Sequence, residues 1–450
     1  VINWFENTAA LSALFAVPSI LTILLLALRY GRKFGLSLSG ESSRKLVHLL
    51  MGLVCLSFPF VFSDPAPVNF LALFICLFFL VLRVNPGAAE LRKVLFSVDR
   101  FSLGEMFFPI AVATIFNLAS APLYYLVPMA VLALADSVAA LVGERFGAHI
   151  YRLQYGAKSL EGSLAFWLTA MLAGLSLLVF CGVGVVKAIL VAVLLACMAC
   201  VVEAISFGGA DNLLIPVSIL FVLEKALPLP EANLAVQVLI FAVLTLAVLT
   251  NKERSSLNDG ATLGSLVFLY FVFTEGGAAY LLMPLILLFS YKRLLPRRFR
   301  YLSNRHGSAA IWCFIPVLLF LFLPALTKRF QPADLLSAYG LAFAIHGAII
   351  GSAHISLSSK RKGRTFLLII NALKSWALLF LPSFILGRGI DIDLSICITA
   401  LSGLMFVFSA TFIFACFTKA ADVDERIGRS RWFKQGALAY LGSFVYLMAV

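Results

Sequence analysis

Apolar runs of roughly 17–25 residues, broken by short polar loops, recur along the whole chain, and that length matches helices that cross a bilayer. Helices satisfy their own backbone groups in lipid, whereas isolated strands do not, so the pattern predicts spanning helices and not barrel strands. In the first half, spans are expected near residues 9–28, 44–62, 70–82, 106–119, 123–142, 160–180, 185–205 and 213–223. A second series is expected near 233–250, 261–274, 276–290, 308–326, 335–356, 365–386, 394–417 and 435–450, making about 14–16 spans. The fold class is all-α, a polytopic integral membrane protein. Polar clusters sit at span ends in residues 1–231 but lie scattered within spans in 232–450, so two membrane regions are expected with that boundary. No convincing internal repeat relates them, and the second region has no assigned role.

Charge orients the spans. Basic residues collect at Arg29, Arg32, Lys33, Arg44 and Lys45, then at Arg83, Arg92, Lys93 and Arg100, then between Arg145 and Lys158. The same alternation continues at Lys252 and Arg254, across 292–305, at 360–364 and at 419–434, with an exception at Lys328 and Arg329. By the positive-inside rule these loops are cytoplasmic. Three polar clusters then fall on one membrane face: Arg44, Lys45 and His48; Asp136 through Glu161; and Glu203 with Asp211 and Asn212.

Composition agrees with this reading. Hydrophobic residues make up 62% and charged residues 13% of 450 positions, against a charged fraction of about 25% in soluble domains. The mean hydropathy is +1.01. A formal charge of +13 suggests nucleic acid, but the basic residues lie in short loops and form no extended patch, so no nucleic-acid partner is expected. The eight cysteines lie almost wholly in apolar runs and read as small buried hydrophobes; Cys197 and Cys200 are mid-span without a second pair. No cleavable signal or transit peptide is read, because the first apolar run is long enough to span.

Phosphoryl transfer needs cations for phosphates, carboxylates for a metal, glycines where backbone approaches phosphate, and a group to orient the hydroxyl. The shared face supplies these types. Lys158, Arg145, Arg44 and Lys45 are candidate phosphate partners, and Asp136, Glu161, Glu203 and Asp211 are candidate metal ligands or, for one of them, the base. Magnesium usually takes one or two carboxylates plus substrate phosphates, so not all four can be ligands. The run Lys158-Ser159-Leu160-Glu161-Gly162-Ser163 opens a span and offers free backbone N–H groups to an anion.

Simpler readings stand beside each. Gly143 and Gly147 alone suit helix packing or a helix end. Ser159 and Glu161 suit an N-terminal cap. Arg44 and Lys45 alone suit topology, His48 a satisfied buried histidine, and Asp211-Asn212 a cap. His346 and His354 share a helical face and suit helix–helix hydrogen bonds better than a metal. Asp136 is different, since an acid about two turns inside a span is expensive.

Taken together, Arg44-Lys45-x-x-His48-x-x-x-Gly52, Ala135-Asp136-x-x-Ala139-x-x-x-Gly143-x-x-x-Gly147, Lys158-Ser159-x-Glu161-Gly162-Ser163, Glu203 and Asp211-Asn212 with Pro216 resemble the phytol kinase, dolichol kinase and CTP-dependent diacylglycerol kinase family. The match covers about residues 40–220, and Ala135 stands where the family usually has glycine. The resemblance implies a magnesium-dependent, CTP-using lipid-alcohol kinase with its nucleotide site on cytoplasmic loops. On that reading Asp136, Lys158 and Glu161 are catalytic. Arg44, Lys45, His48, Gly143, Arg145, Gly147, Ser159, Gly162, Ser163 and Asn212 bind nucleotide or phosphate, and Asp136, Glu203 and Asp211 hold the metal. The expected partners are CTP, a membrane-soluble alcohol and the bilayer, and the expected location is a bacterial cytoplasmic membrane. The alternatives are cytidylyl transfer onto a lipid phosphate and a transporter whose polar residues line a path.

Overall fold

The computed structural model describes residues 8–33, 40–85, 102–153, 156–251, 257–294, 314–321, 329–358, 364–389, 393–417 and 429–450. Apart from one small hairpin in the first half, its regular structure is helical, and ten of the described helices are long and apolar enough to cross a membrane. Two shorter apolar helices accompany them. The protein is thus an all-α, polytopic integral membrane protein. Two compact units make it up, Val1–Phe241 and Ala242–Val450.

In the first unit, α1 (Thr8–Lys33), α2 (Gly40–Cys55), the single turn α3 (Phe58–Val61), α4 (Pro65–Val84) and α5 (Gly104–Leu118) precede the long α6 (Pro122–Phe146). A hairpin of β1 (Ile150–Leu153) and β2 (Gly156–Ser159) follows. Then come α7 (Leu160–Phe180), α8 (Val185–Ile205), α9 (Asp211–Ala226) and α10 (Glu231–Thr250), within which the two units divide. Local chemistry sets several starts. Asp64 caps α4 by accepting the Ala66 N–H at 2.7 Å, with proline in the first turn. Ser159 caps α7 by accepting the Gly162 N–H at 3.1 Å.

Helix α6 is the axis of this unit and touches α2, α5, α7 and α9. Lipid is as apolar as leucine, so helices associate in it through close packing of small residues. A Cβ at Gly52 on α2 would overlap Ala133 on α6, and one at Gly162 on α7 would sit 3.1 Å from the Ala139 carbonyl and 3.3 Å from Gly143 Cα. On the outer face of α7, Leu164, Leu168 and Leu172 stay exposed, as a lipid-facing row should.

The expected spans at 160–180 and 185–205 coincide with α7 and α8. The span expected at 123–142 runs on to Phe146, because nothing breaks the helix before Gly147, whose N–H bonds the Gly143 carbonyl at 3.2 Å. Gly143, Glu144 and Arg145 therefore form its last turn.

In the second unit, α11 (Asp259–Gly276) and α12 (Ala278–Leu294) precede a 3₁₀ turn (Ile315–Leu318) and α13 (Pro332–Ser358). α14 (Arg364–Ser375) passes through a π turn (Trp376–Phe380) into α15 (Leu381–Arg388), and α16 (Leu394–Phe417) and α17 (Arg429–Ala449) complete it. Every residue of α13 from 335 to 352 is buried. Its glycines make this possible: side chains at Gly340, Gly347 and Gly351 would collide with Ser383, Leu379 and Asn371. His346 is fully buried and its Nδ1 lies 3.0 Å from Gln435 Nε2, the helix–helix bond expected of it. The side chain of His354, most of the expected span at 308–326, and the basic segments holding Arg92, Lys93, Arg100, Lys252, Arg254 and Lys328 lie outside the described residues, as do residues 295–305, 360–363 and 419–428.

Candidate active site

The early turns of α2 carry Arg44, Lys45 and His48, with Lys45 and His48 one turn apart on the face that packs on α6. Lys45 Nζ donates to Asp136 Oδ2 at 2.5 Å, and both side chains are more than nine-tenths buried. His48 Nε2 lies 3.8 Å from the same oxygen and 3.3 Å from the Leu132 carbonyl, while its ring meets Phe108 edge-on at 4.9 Å. Arg44 adds positive charge that acts on Asp136. Desolvating two charges offsets most of their attraction, so a buried pair of this kind is weak evidence for stability and better evidence for a site.

The hairpin delivers a second pair. Its register sets Tyr151 opposite Lys158 and Ile150 opposite Ser159, and Lys158 Nζ donates to Glu203 Oε1 at 2.5 Å and also to the Glu203 carbonyl oxygen. Glu203, on the last turn of α8, is buried, and its Oε2 has no hydrogen-bond partner. It lies within electrostatic reach of both Asp136 and Asp211. That unsatisfied oxygen could accept a cation. Among the described residues no three His, Cys, Asp or Glu side chains cluster closely enough to hold a metal by themselves. A metal here would complete its shell with phosphate oxygens, the common arrangement for magnesium.

Asp211 and Asn212 open α9. Asn212 is buried and its Nδ2 donates to the Gly104 carbonyl at 2.8 Å, tying α9 to the start of α5. The approach depends on Gly209, whose φ of +86° is open to glycine and whose added Cβ would overlap the Gly104 backbone. Arg83 pairs with Glu105 at 2.5 Å at the same end. Thus the end of α4, the starts of α2, α5, α7 and α9 and the end of α8 all meet at one end of the bundle.

Other expected residues take different places. Glu161 accepts from His149, with Nδ1 to Oε1 at 2.6 Å and the backbone N–H at 3.2 Å, and so ties helix α7 to the residue before the hairpin. Ser163 Oγ meets the Tyr151 hydroxyl at 2.7 Å, and burial holds that phenol above its usual range, so it remains a neutral hydroxyl. Ser159 is the cap of α7, and Gly143 and Gly162 are a contact between α6 and α7. Gly147 ends α6, and a Cβ there would press on Ser159 at 2.9 Å. Arg145 is exposed, its guanidinium 5.5 Å from the Phe146 ring. Cys197 accepts from Trp167 Nε1 at 3.2 Å, and Cys200 contacts the Ser163 carbonyl, so this pair serves helix packing.

The sequence reading missed His149, Tyr151, Phe108 and the Arg83–Glu105 pair. It also missed an apolar groove that opens beside His48. One face each of α2, α4 and α5 lines it, α1 contributes Val17 and Leu21, and Arg44, His48, Glu105 and Asn212 form its polar end. The remaining wall is almost wholly aliphatic and aromatic. A hydrocarbon chain fits such a wall, and the polar end lies beside the Asp136–Lys45 pair.

No protein-family model matches the chain, and no solved structure does. Among curated proteins it is similar to the phytol kinase of the cyanobacterium Synechocystis sp., at 31% identity over 185 residues. That alignment covers 40% of this chain and 78% of the relative. A first unit with one buried and one partly buried lysine–carboxylate pair at one end of a membrane bundle, joined to this degree of identity over most of the relative, leads to one conclusion: the chain belongs to the phytol kinase family.

Proposed function

We propose that the first unit transfers the γ-phosphoryl group of CTP to the primary hydroxyl of a membrane-soluble alcohol of the phytol type, releasing the alkyl monophosphate and CDP. The observation that carries this reading is the buried Asp136–Lys45 pair at the polar end of an apolar groove, with the Lys158–Glu203 pair in electrostatic reach. The family relationship supports the kinase class, whereas CTP as donor and magnesium as cofactor rest on the sequence resemblance.

In this reading each carboxylate is held by a lysine until a triphosphate arrives. Lys45 and Lys158 then turn to the phosphate oxygens, with Arg44 and Arg145 adding positive charge, and both carboxylates are released. Asp136 accepts the hydroxyl proton as the alcohol oxygen attacks the γ-phosphorus and the bond to CDP breaks. His48, between groove and carboxylate, hydrogen-bonds the hydroxyl and orients it. Glu203 and Asp211 would hold magnesium with phosphate oxygens; bound there, it supplies neutralisation of charge on the transferred group. Glu161 and His149 position the hairpin that carries Lys158. Asn212 fixes the start of α9 and hence Asp211. The positive loops support a cytoplasmic site, in the cytoplasmic membrane of a bacterium.

Product analysis tests the reaction class. Incubation with CTP and a lipid alcohol should yield a lipid monophosphate and CDP. Release of pyrophosphate with transfer of the cytidylyl group onto a lipid phosphate would replace this reading with cytidylyl transfer.

A further inference from the structure

The groove beside His48 runs from a polar end to an apolar one. Its lining face on α2 runs from Arg44 to Cys55, a rise of about 16 Å at helical spacing, which an extended chain of roughly a dozen carbons fills. That is about half the thickness of a bilayer's hydrocarbon core. Antiparallel to it, α4 contributes a face from Val68 to Phe79. The polar end is fixed by the Arg83–Glu105 pair and by Asn212 on Gly104. The far end is fixed by Asn117 on Asn69 at 2.6 Å and by the Tyr125 hydroxyl on the Cys55 carbonyl at 3.0 Å.

Phe58 stands at the far end. It lines the groove, is only 2% exposed, and is braced edge-on against the buried Phe62 with ring centres 5.1 Å apart. Val68 lies beside it at the start of α4. The walls come from one face each of α2, α4 and α5. We infer that this groove is a molecular ruler: it selects the alcohol by chain length, favouring about the length that reaches from His48 to Phe58, and Phe58 sets the upper limit. A long polyprenol must continue past Phe58. The inference rests on the kinase reading for its hydroxyl end, but the groove and its floor stand independently of it.

The effect is read as a ratio of kcat/KM for a long alcohol to that for a short one, across primary alcohols from decanol to a long polyprenol. Phe58→Ala should raise that ratio by about tenfold, and Ala72→Phe, which fills the groove one turn above the floor, should lower it by about tenfold, the scale of one or two methylenes in an apolar pocket. Opposite shifts from two neighbouring sites exclude a general loss of folding, which would scale all lengths alike. Equal scaling by both variants would overturn the inference.

A binding arm needs no nucleotide. A dodecanol carrying a diazirine at its far carbon should label the peptide around Phe58 and Val68 in the whole chain in lipid. Labelling elsewhere would overturn the ruler even if phosphate transfer proceeds. Labelling at Phe58 with no transfer from any donor would leave the ruler standing and overturn the kinase reading.

Discussion

Lys45 and Asp136, 91 positions apart in the chain, meet through a 2.5 Å contact in which their side chains are 9% and 8% exposed. The contact joins the start of α2 to α6, and it places a full carboxylate charge within a membrane helix bundle. Its removal from either side has consequences that separate structure from chemistry.

Asp136→Asn leaves Lys45 buried without its counter-ion, and breaking one side of a buried pair costs about 3–5 kcal/mol. The single variant should therefore melt lower in detergent, and Asp136→Asn combined with Lys45→Met should recover most of that loss. Turnover should fall by about 100-fold or more in both, as expected for loss of a positioned base. A folded double variant that turns over within tenfold of the parent would remove Asp136 from the chemistry.

Lys158 reaches Glu203 only because the hairpin folds back over α7. Lys158→Gln should raise the KM for the nucleotide by about tenfold, the order of one charge-assisted phosphate contact, and leave the KM for the alcohol nearly unchanged. Steady-state kinetics with each substrate varied in turn distinguishes this from a loss of the lipid site, which would move the alcohol KM instead.

His149 and Glu161 act on each other across the base of the hairpin. His149→Ala and Glu161→Gln should each raise the nucleotide KM severalfold, and the double variant should be no worse than either alone, since residues in one network are not additive. Additive effects would give Glu161 a function of its own, closer to a metal ligand than to a positioning residue.

Much of this was legible before the fold was known, for local reasons. The limits of α7 and α8 follow from long apolar runs flanked by Ser159 and Gly184 at one end and by Cys181-Gly182 and Ser206 at the other. Asp136 stood out because a carboxylate within a span needs a partner. The partner itself was not legible: Lys45 is 91 positions away and Lys158 is 45 positions from Glu203, and nothing in either neighbourhood encodes the other. The groove was hidden for a second reason. In a membrane protein the residues facing lipid and those facing a cavity are equally apolar, so Met51 and Val112 in the groove wall look in sequence like Leu168 on the outer face of α7. The hairpin was read as a loop because its strands are four residues each, too short for alternation to declare itself.

Gly52 on α2 and Ala133 on α6 are packed so closely that any side chain at position 52 must displace one helix. Gly52→Val should destabilise the first unit by about 1–3 kcal/mol, the usual range for overpacking, and shift Lys45 relative to Asp136. Thermal unfolding in detergent would show the loss, and turnover should drop with it. Unchanged melting would mean that α2 is not held to α6 at this point.

The measurement closest to the central claim uses the purified protein in lipid with magnesium, γ-labelled CTP or ATP, and phytol, a polyprenol or a diacylglycerol as acceptor. The account predicts label in the organic phase from CTP, with phytol as acceptor, and label formed about 100-fold or more slowly with Asp136→Asn. Label from no donor into any acceptor, in a preparation shown to be folded, would contradict it.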